Sequence, residues 1–430
     1  MNFSRQRPYL VIAPCVLLVL GLFIYLRPLP SLRNEGQPFM SKPHGKFQFD
    51  GVWNYERDRD NLLLTQGQCD QAFPELFAEI DRASEARSLN PITIKELDSI
   101  TPRNGYIRAM IYDQQVSART LLIFHLKKLY IIAKEGSIWS REIATLAAIN
   151  RALVSSPEPL PNVEFAFNTD DRIDEAALWG YARRSEDDLI WLIPDFGYWS
   201  WPEIKAGSTK EILMKVESAE KQDGLIWSTK IQQLLWRGVA RMGPEIRDKL
   251  LEVTSGKSWA DVKELGWGDP ASMKNDYKTM PQHCDYQYVV QTEGNTYSGR
   301  LKYLQMCRSV VVSHKLNWIQ HHYHLMQSSG SEQNFVEVER DWSDLEDKMN
   351  WLLSHDEDAQ RIADNNVKLF RERYLTQSAE VCYWRRLIQQ WAKVSDFEPE
   401  FYKEDEDGQK VWRGLSFESF MLMRAMDWQT

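Results

Sequence analysis

The stretch NVEFAFN (162–168) alternates apolar and polar positions, with Val163, Phe165 and Phe167 on one side, the period-two pattern of a strand. It breaks into Asn168, Thr169, Asp170 and Asp171, with Asp174 and Glu175 close behind. Before it, ARTLLIFHLKKLYII (118–132) reads as strand-like apolar stretches broken by Lys127 and Lys128. SIWSREIATLAAINRALVSS (137–156) places Ile143, Leu146, Ala147 and Leu153 at helical spacing, and Pro157, Pro159 and Pro161 end it. DLIWLIPDF (188–196) predicts another strand and TKEILMKVESAEK (209–221) a helix. IQQLLWRG (231–238) runs into a glycine turn, and GPEIRDKLLEVTS (243–255) predicts a helix with Pro244 in its first turn. Residues 51–100 read as mixed turns and short helices.

The second half repeats the alternation. YQYVVQTEG (286–294) predicts a strand ending at Gly294, followed by a helix over 299–309 and short strands VVVSH (310–314) and FVEVE (335–339). Apolar stripes predict helices over 343–354 and 356–375. Strands alternating with helices indicate an α/β fold with parallel sheets, which bind ligands at the carboxyl ends of their strands. Three strand exits therefore matter most: 168–171, 237–238 and 294–300.

The N-terminus has a different pattern. Arg5 and Arg7 precede an apolar run over 9–26, about 18 residues and just long enough to span a bilayer as a helix. Arg27 and Pro28 close it with no small-residue cleavage pattern, so a transmembrane signal anchor is expected, with a cleaved signal peptide as the alternative. Residues 1–8 then form a cytosolic tail, and the Pro- and Gly-containing residues 27–50 a stem. Cys15 falls in the apolar run. Cys69, Cys284, Cys307 and Cys382 would face an oxidising lumen, where three pairings are open. No CxxC pair suggests zinc, and the single Asn-x-Ser/Thr site, at Asn2, falls on the cytosolic side.

With 430 residues, 43% hydrophobic and 26% charged, the chain is globular and long enough for two domains. A net charge of −9 argues against a general nucleic-acid binder. Trp, Tyr and Phe number 17 each; such rings fill cores and also line sugar-binding clefts.

HCDYQYVVQTEGNTYSGRLKYLQMCRS (283–309), DAQRIADNN (358–366) and VCYWRRLIQQW (381–391) together resemble the capsule-associated and Rumi-type glycosyltransferases, glycosyltransferase family 90, to which the protein O-glucosyltransferases belong. The resemblance covers 162–394 and is strongest over 283–318 and 356–391. By chemistry alone, a polar turn entering a helix offers free backbone N–H groups to a phosphate, and Arg300 in the first turn can fork onto a diphosphate. An ordinary helix cap with a surface arginine is the competing reading. The resemblance favours donor binding by Gly294, Asn295, Thr296, Tyr297, Ser298, Gly299 and Arg300.

Arg237 and Gly238 are similar to the family's Arg-Gly element, which helps hold the nucleotide sugar. Val239 departs from it, standing where the family often has a small hydroxyl residue. Arg247 resembles a downstream arginine of the same element if one residue is inserted; a surface ion pair is its alternative. FNTDD resembles the family's Asn-x-x-Asp, whose last residue is the catalytic base. That implies Asp171 as base with Asn168 orienting it, while Asp174 and Glu175 start a helix. Asp170 and Asp171 are superficially like a manganese-binding pair. Neighbouring strand residues point to opposite faces, however, and no His lies nearby, so no metal or other cofactor is expected. LIPDFGYWSWPEI (192–204) resembles the acceptor-groove segment, with Trp199, Trp201 and Pro202 either stacking on an acceptor or packing in a loop. The resemblance also implies Cys284–Cys307 and Cys69–Cys382 disulfides.

The expectation is an α/β, GT-B-like protein with two Rossmann-like domains facing a cleft, an acceptor-side one over 51–205 and a nucleotide-sugar one over 206–394, then an extension over 395–430. It would be a type II Golgi membrane protein, or one of the endoplasmic reticulum, that transfers xylose or glucose from a UDP-sugar to a glycan or protein hydroxyl with inversion. The alternative is a catalytically inactive lumenal family member that binds or scaffolds.

Overall fold

The computed structural model describes residues 49–116, 124–173 and 177–426. The expected span over 9–26, Cys15, Asn2, Asp174 and Glu175 lie outside these residues. Among the described residues no helix is long and apolar enough to cross a membrane.

The fold is mixed α/β, built on two main sheets. The strands of the first are β1 (Tyr106–Val116), β2 (Phe124–Lys134), β3 (Val163–Asn168), β4 (Trp179–Gly180) and β5 (Trp191–Leu192). The second holds β6 (Ile231–Gly238), β7 (Ala260–Glu264), β8 (Tyr286–Gln291), β9 (Val310–His314) and β10 (Val336–Val338). A small hairpin, β11 (Tyr402–Glu404) with β12 (Lys410–Trp412), precedes β13 (Leu415–Ser416). The helices that matter here are α1 (Gln66–Ala72), α2 (Ser140–Val154), α3 (Thr209–Gln222), α4 (Pro244–Thr254), α5 (Leu301–Leu304) and α6 (Gln377–Lys393).

The second sheet is parallel throughout, in the order β10-β9-β8-β6-β7. Its apolar runs are buried on both faces. Leu234, Trp236, Tyr288, Val290, Val310 and Val312 pack on one side, and Leu235, Val289 and Val311 on the other, as alternation along a pleated strand requires. Counting from β6, the order is that of a doubly wound sheet whose direction of winding reverses between β6 and β8. That crevice is where such sheets hold ligands.

The first sheet departs from the all-parallel expectation. Its order is β13-β2-β1-β3-β4-β5; β1 is antiparallel to both β2 and β3, and only β3, β4 and β5 run parallel. The strand expected over 188–196 is two residues long, because Pro194 has no N–H for a ladder and Asp195 caps a 3-10 turn over Phe196–Tyr198. The helix expected over 299–309 is the single turn α5.

The sheets fall on either side of residue 205, yet the chain returns to the first sheet at its end, and Phe49 onward forms one compact unit. Helix α6 lies within 206–394 but packs on the first sheet. Trp391 meets Trp179 and Trp191 edge-on at 5.5 and 5.3 Å, and Trp179 stacks on Phe165 at 4.0 Å. The extension 395–426 adds β13 to the β2 edge. Both disulfides implied by the resemblance are present. Cys69–Cys382 ties α1 to α6, and Cys284–Cys307 closes the segment that contains β8, the polar turn and α5.

Candidate active site

A cleft of about 700 Å³ opens at the carboxyl ends of β3, β6 and β8. On the second sheet, β8 leads into the turn 294–300 and β6 ends at Arg237 and Gly238. Two glycines are required there by close approach. A Cβ on Gly294 would lie 2.9 Å from Arg247 Nη2, and one on Gly238 would lie 3.0 Å from Arg300 Nη2 and 2.6 Å from the Trp236 ring.

The two arginines pressed against these glycines are the unusual feature. Arg247, on α4, donates to the carbonyls of Glu293 (2.9 Å) and Val239 (2.8 Å). Arg300 donates through Nη1 to the Arg237 carbonyl at 2.7 Å, and its buried Nε has no hydrogen-bond partner among the described residues. Both guanidinium groups face the Trp236 ring, at 5.8 and 5.7 Å. Neither forms an ion pair among the described residues. Burial pushes Arg247 down to about 10; burial, with Arg247 nearby, pushes Arg300 down to about 9. Two guanidinium groups, one buried and one half-buried, with no carboxylate partner among the described residues make a site that an anion would stabilise.

Arg237 behaves differently. Its guanidinium pairs with Asp261 on β7 (2.7 Å) and donates to the Asp276 carbonyl (2.7 Å), so its charge is already balanced. Arg237 lines the cleft, and its carbonyl receives Arg300. Asn295, Tyr297, Ser298 and Gly299 line the cleft; Thr296 does not. Among the described residues, the backbone N–H groups of 295–300 have no acceptor.

On the first sheet, β3 stops at Asn168, whose Oδ1 accepts the Asp170 N–H at 2.7 Å. This turn swings Asp171 into the cleft with its side chain about one-third exposed. Asn168 thus shapes the turn and makes no contact with the Asp171 carboxylate. Asp170 is exposed, and its Oδ1 caps the Asp171 N–H at 2.8 Å. Among the described residues no group of three His, Cys, Asp or Glu side chains is placed to hold a metal.

Two contacts that sequence reasoning missed hold Asp171. Arg141, in the first turn of α2, donates to its Oδ1 at 2.8 Å and lies over the Phe196 ring at 4.7 Å. Thr296 Oγ1 donates to the Asp171 carbonyl at 2.9 Å, joining the strand exit of one sheet to the turn of the other. Of the three expected acceptor residues, Trp201 reaches the cleft but also packs on Gly299 and edge-on to Phe196 at 5.2 Å. Trp199 instead faces Arg151 at 4.9 Å, and Pro202 begins a 3-10 turn; neither lines the cleft. Trp139 and Glu203 stand at the Asp171 end, and Trp267, Tyr277 and His283 line the side formed by the second sheet.

The pattern described as Glycosyl transferase family 90 matches residues 95–410. The chain belongs to this family. Human protein O-glucosyltransferase 1 is 24% identical over 262 residues, 55% of this chain and 64% of that protein. The rat protein of the same name is 22% identical over 325 residues, 70% and 79% of the two chains. The O-glucosyltransferase rumi of Drosophila melanogaster is 23% identical over 288 residues, 59% and 66%. The match thus covers less than two thirds of the human relative. Within the family 90 match lie all the elements that meet at the cleft: the Asp171 turn, the Arg237–Arg300 contact, Arg247 and the turn 294–300.

Proposed function

We propose that this chain is an inverting, metal-independent glycosyltransferase that moves xylose or glucose from a UDP-sugar to a hydroxyl of a glycan or protein. The observation that carries the reading is the pair of buried Arg247 and half-buried Arg300, two cations with no carboxylate partner among the described residues, in the same cleft as Asp171. In this reading the two sheets are the lobes of a GT-B arrangement. The diphosphate lies against Arg247, Arg300 and the N–H groups of the turn, and the nucleoside extends toward Trp267 and Tyr277. Arg141 holds Asp171 Oδ1, which leaves Oδ2 for the acceptor hydroxyl. Asp171 takes that proton as the acceptor oxygen attacks the anomeric carbon. The bond from that carbon to the diphosphate oxygen breaks, and the arginines and N–H groups take up the charge of departing UDP. The apolar run over 9–26 supports the accompanying proposal of a Golgi membrane anchor.

A UDP-binding protein without catalysis is the second reading, favoured by the existing Arg141–Asp171 ion pair. Asp171→Asn separates the two. The transferase reading expects the variant to keep its thermal shift with UDP-sugars and to lose at least about a hundredfold in transfer, with wild-type activity persisting in EDTA. Wild-type protein that binds UDP-sugars but transfers nothing to glycan or protein acceptors would support the binding protein instead.

A further inference from the structure

Beneath the turn lies a buried ion pair that the proposed chemistry does not use directly. Lys302, in α5, is buried, and its Nζ donates to Asp195 Oδ1 (2.6 Å), Asp195 Oδ2 (2.9 Å) and the Gly299 carbonyl (2.6 Å). All three ammonium protons are therefore committed. Asp195 follows β5 of the first sheet and is equally buried. It accepts two further bonds, from the Gly197 N–H at 2.8 Å and Gln320 Nε2 at 3.1 Å. A buried pair of this kind is a poor source of stability, since apolar side chains of similar volume do as well or better. Its geometry is more informative.

The Gly299 carbonyl and the Arg300 N–H belong to one peptide plane and point in opposite directions. Fixing that oxygen on Lys302 fixes the direction of the Arg300 N–H, which has no acceptor among the described residues. The same anchor sets where the Arg300 side chain leaves the backbone, and that side chain carries the unpartnered Nε. We propose that Lys302 is a positioning residue. By tying the Gly299 carbonyl to Asp195 beneath the turn, it aims the Arg300 peptide N–H and guanidinium at the diphosphate of the donor. The assignment rests on the donor reading above.

The test is titration calorimetry with UDP on Lys302→Met/Asp195→Asn, which removes both charges together and leaves no lone buried ion. Loss of one oriented donor to a charged phosphate predicts UDP binding weaker by about tenfold or more. Transfer kinetics should show a raised donor KM with a nearly unchanged acceptor KM. Glu79→Gln/Arg183→Met removes another buried contact, bonded at 2.8 and 2.9 Å and away from the cleft lining, with Arg82 as a second partner of Glu79, and serves as control; it should leave UDP affinity as in wild type. Should the first variant not fold, Lys302→Gln/Asp195→Asn replaces it. The Gln amide is one atom shorter, so it reaches Asn or the Gly299 carbonyl but not both, and a partial loss is expected. Wild-type affinity in whichever variant folds overturns the assignment, as does an equal loss in the control pair. Failure of the wild-type protein to bind UDP overturns the donor reading itself, and this assignment with it.

Discussion

Arg300→Met is expected to make the empty protein more stable while abolishing its response to UDP. Burial, reinforced by Arg247, lowers Arg300 from the usual arginine range to about 9. At about 1.36 kcal/mol per pH unit, that gap corresponds to a ceiling of about 5 kcal/mol against the folded state. Arg300 is partly exposed to the cleft, where solvent screens it, and methionine forfeits the bond to the Arg237 carbonyl. A net gain of about 1–3 kcal/mol remains. The sign follows from the lowered value. Below pH 9 both folded and unfolded chains carry the charge, so the penalty is complete at pH 7, and it is relieved only as pH rises above 9. For a body of this size the gain raises Tm by about 1–3 °C. Wild type with UDP at a hundred times its Kd should gain about 2.7 kcal/mol by mass action, whereas the variant should gain nothing. Scanning calorimetry with and without UDP reads both effects. A lower Tm in the empty variant, or an undiminished UDP shift, would refute the view of Arg300 as a buried charge awaiting an anion.

Two further predictions concern stability. Burial holds His283 at about 4, so it is neutral in the folded chain and charged in the unfolded chain below pH 6.5. Its contribution is intact above pH 6.5 and is lost as pH falls toward 4, about 2 kcal/mol of it by pH 5. Urea titrations at pH 7.5 and 5.0 should show His283→Asn losing about 2 kcal/mol less than wild type; equal losses would place the acid sensitivity elsewhere. The disulfides differ in span, with sequence separations of 313 for Cys69–Cys382 and 23 for Cys284–Cys307. Chain entropy gives about 6 and about 3 kcal/mol respectively, so Cys69→Ser/Cys382→Ser should lower the denaturation midpoint more than Cys284→Ser/Cys307→Ser, and the reverse order would contradict that account.

The second sheet was largely legible because β6, β8 and β9 are apolar runs buried on both faces, bounded by glycine or polar turns. The first sheet was less so. Strand β1 carries Arg108 and Asp113 among its apolar residues, and β4 and β5 are two residues long, too short for any periodicity. The helix over 299–309 was read too long because Leu301, Leu304 and Met306 mimic a helical stripe. Leu301 and Leu304 pack under the parallel sheet, whereas Met306 packs with Cys284 and Cys307 beside α3. At the cleft, Arg300 and the turn 294–300 were visible as a local pattern, whereas Arg247 came only from the family resemblance with one residue inserted. The ion pair of Arg237 was not legible, because its partner Asp261 stands on β7, a half-exposed strand that the apolar pattern does not reveal. Arg141 was invisible because its tie to Asp171 links the start of a helix to the end of a strand 30 residues away. No period or spacing reports such a pairing.

The bond between α1 and α6 also sets a timetable for synthesis. At about 5–20 residues per second, Cys69 waits roughly 15–60 s on the ribosome before Cys382, 313 residues later, is made. Cys284 and Cys307 emerge during that interval, and the aromatic cluster of Phe165, Trp179 and Trp191 stays uncovered until Trp391 arrives. A nascent chain exposed to oxidant in that window joins Cys69 to the wrong sulfur, and recovery then depends on thiol exchange. Yield of native protein should therefore follow the supply of disulfide isomerase and holding chaperones more closely than the stability of the finished fold.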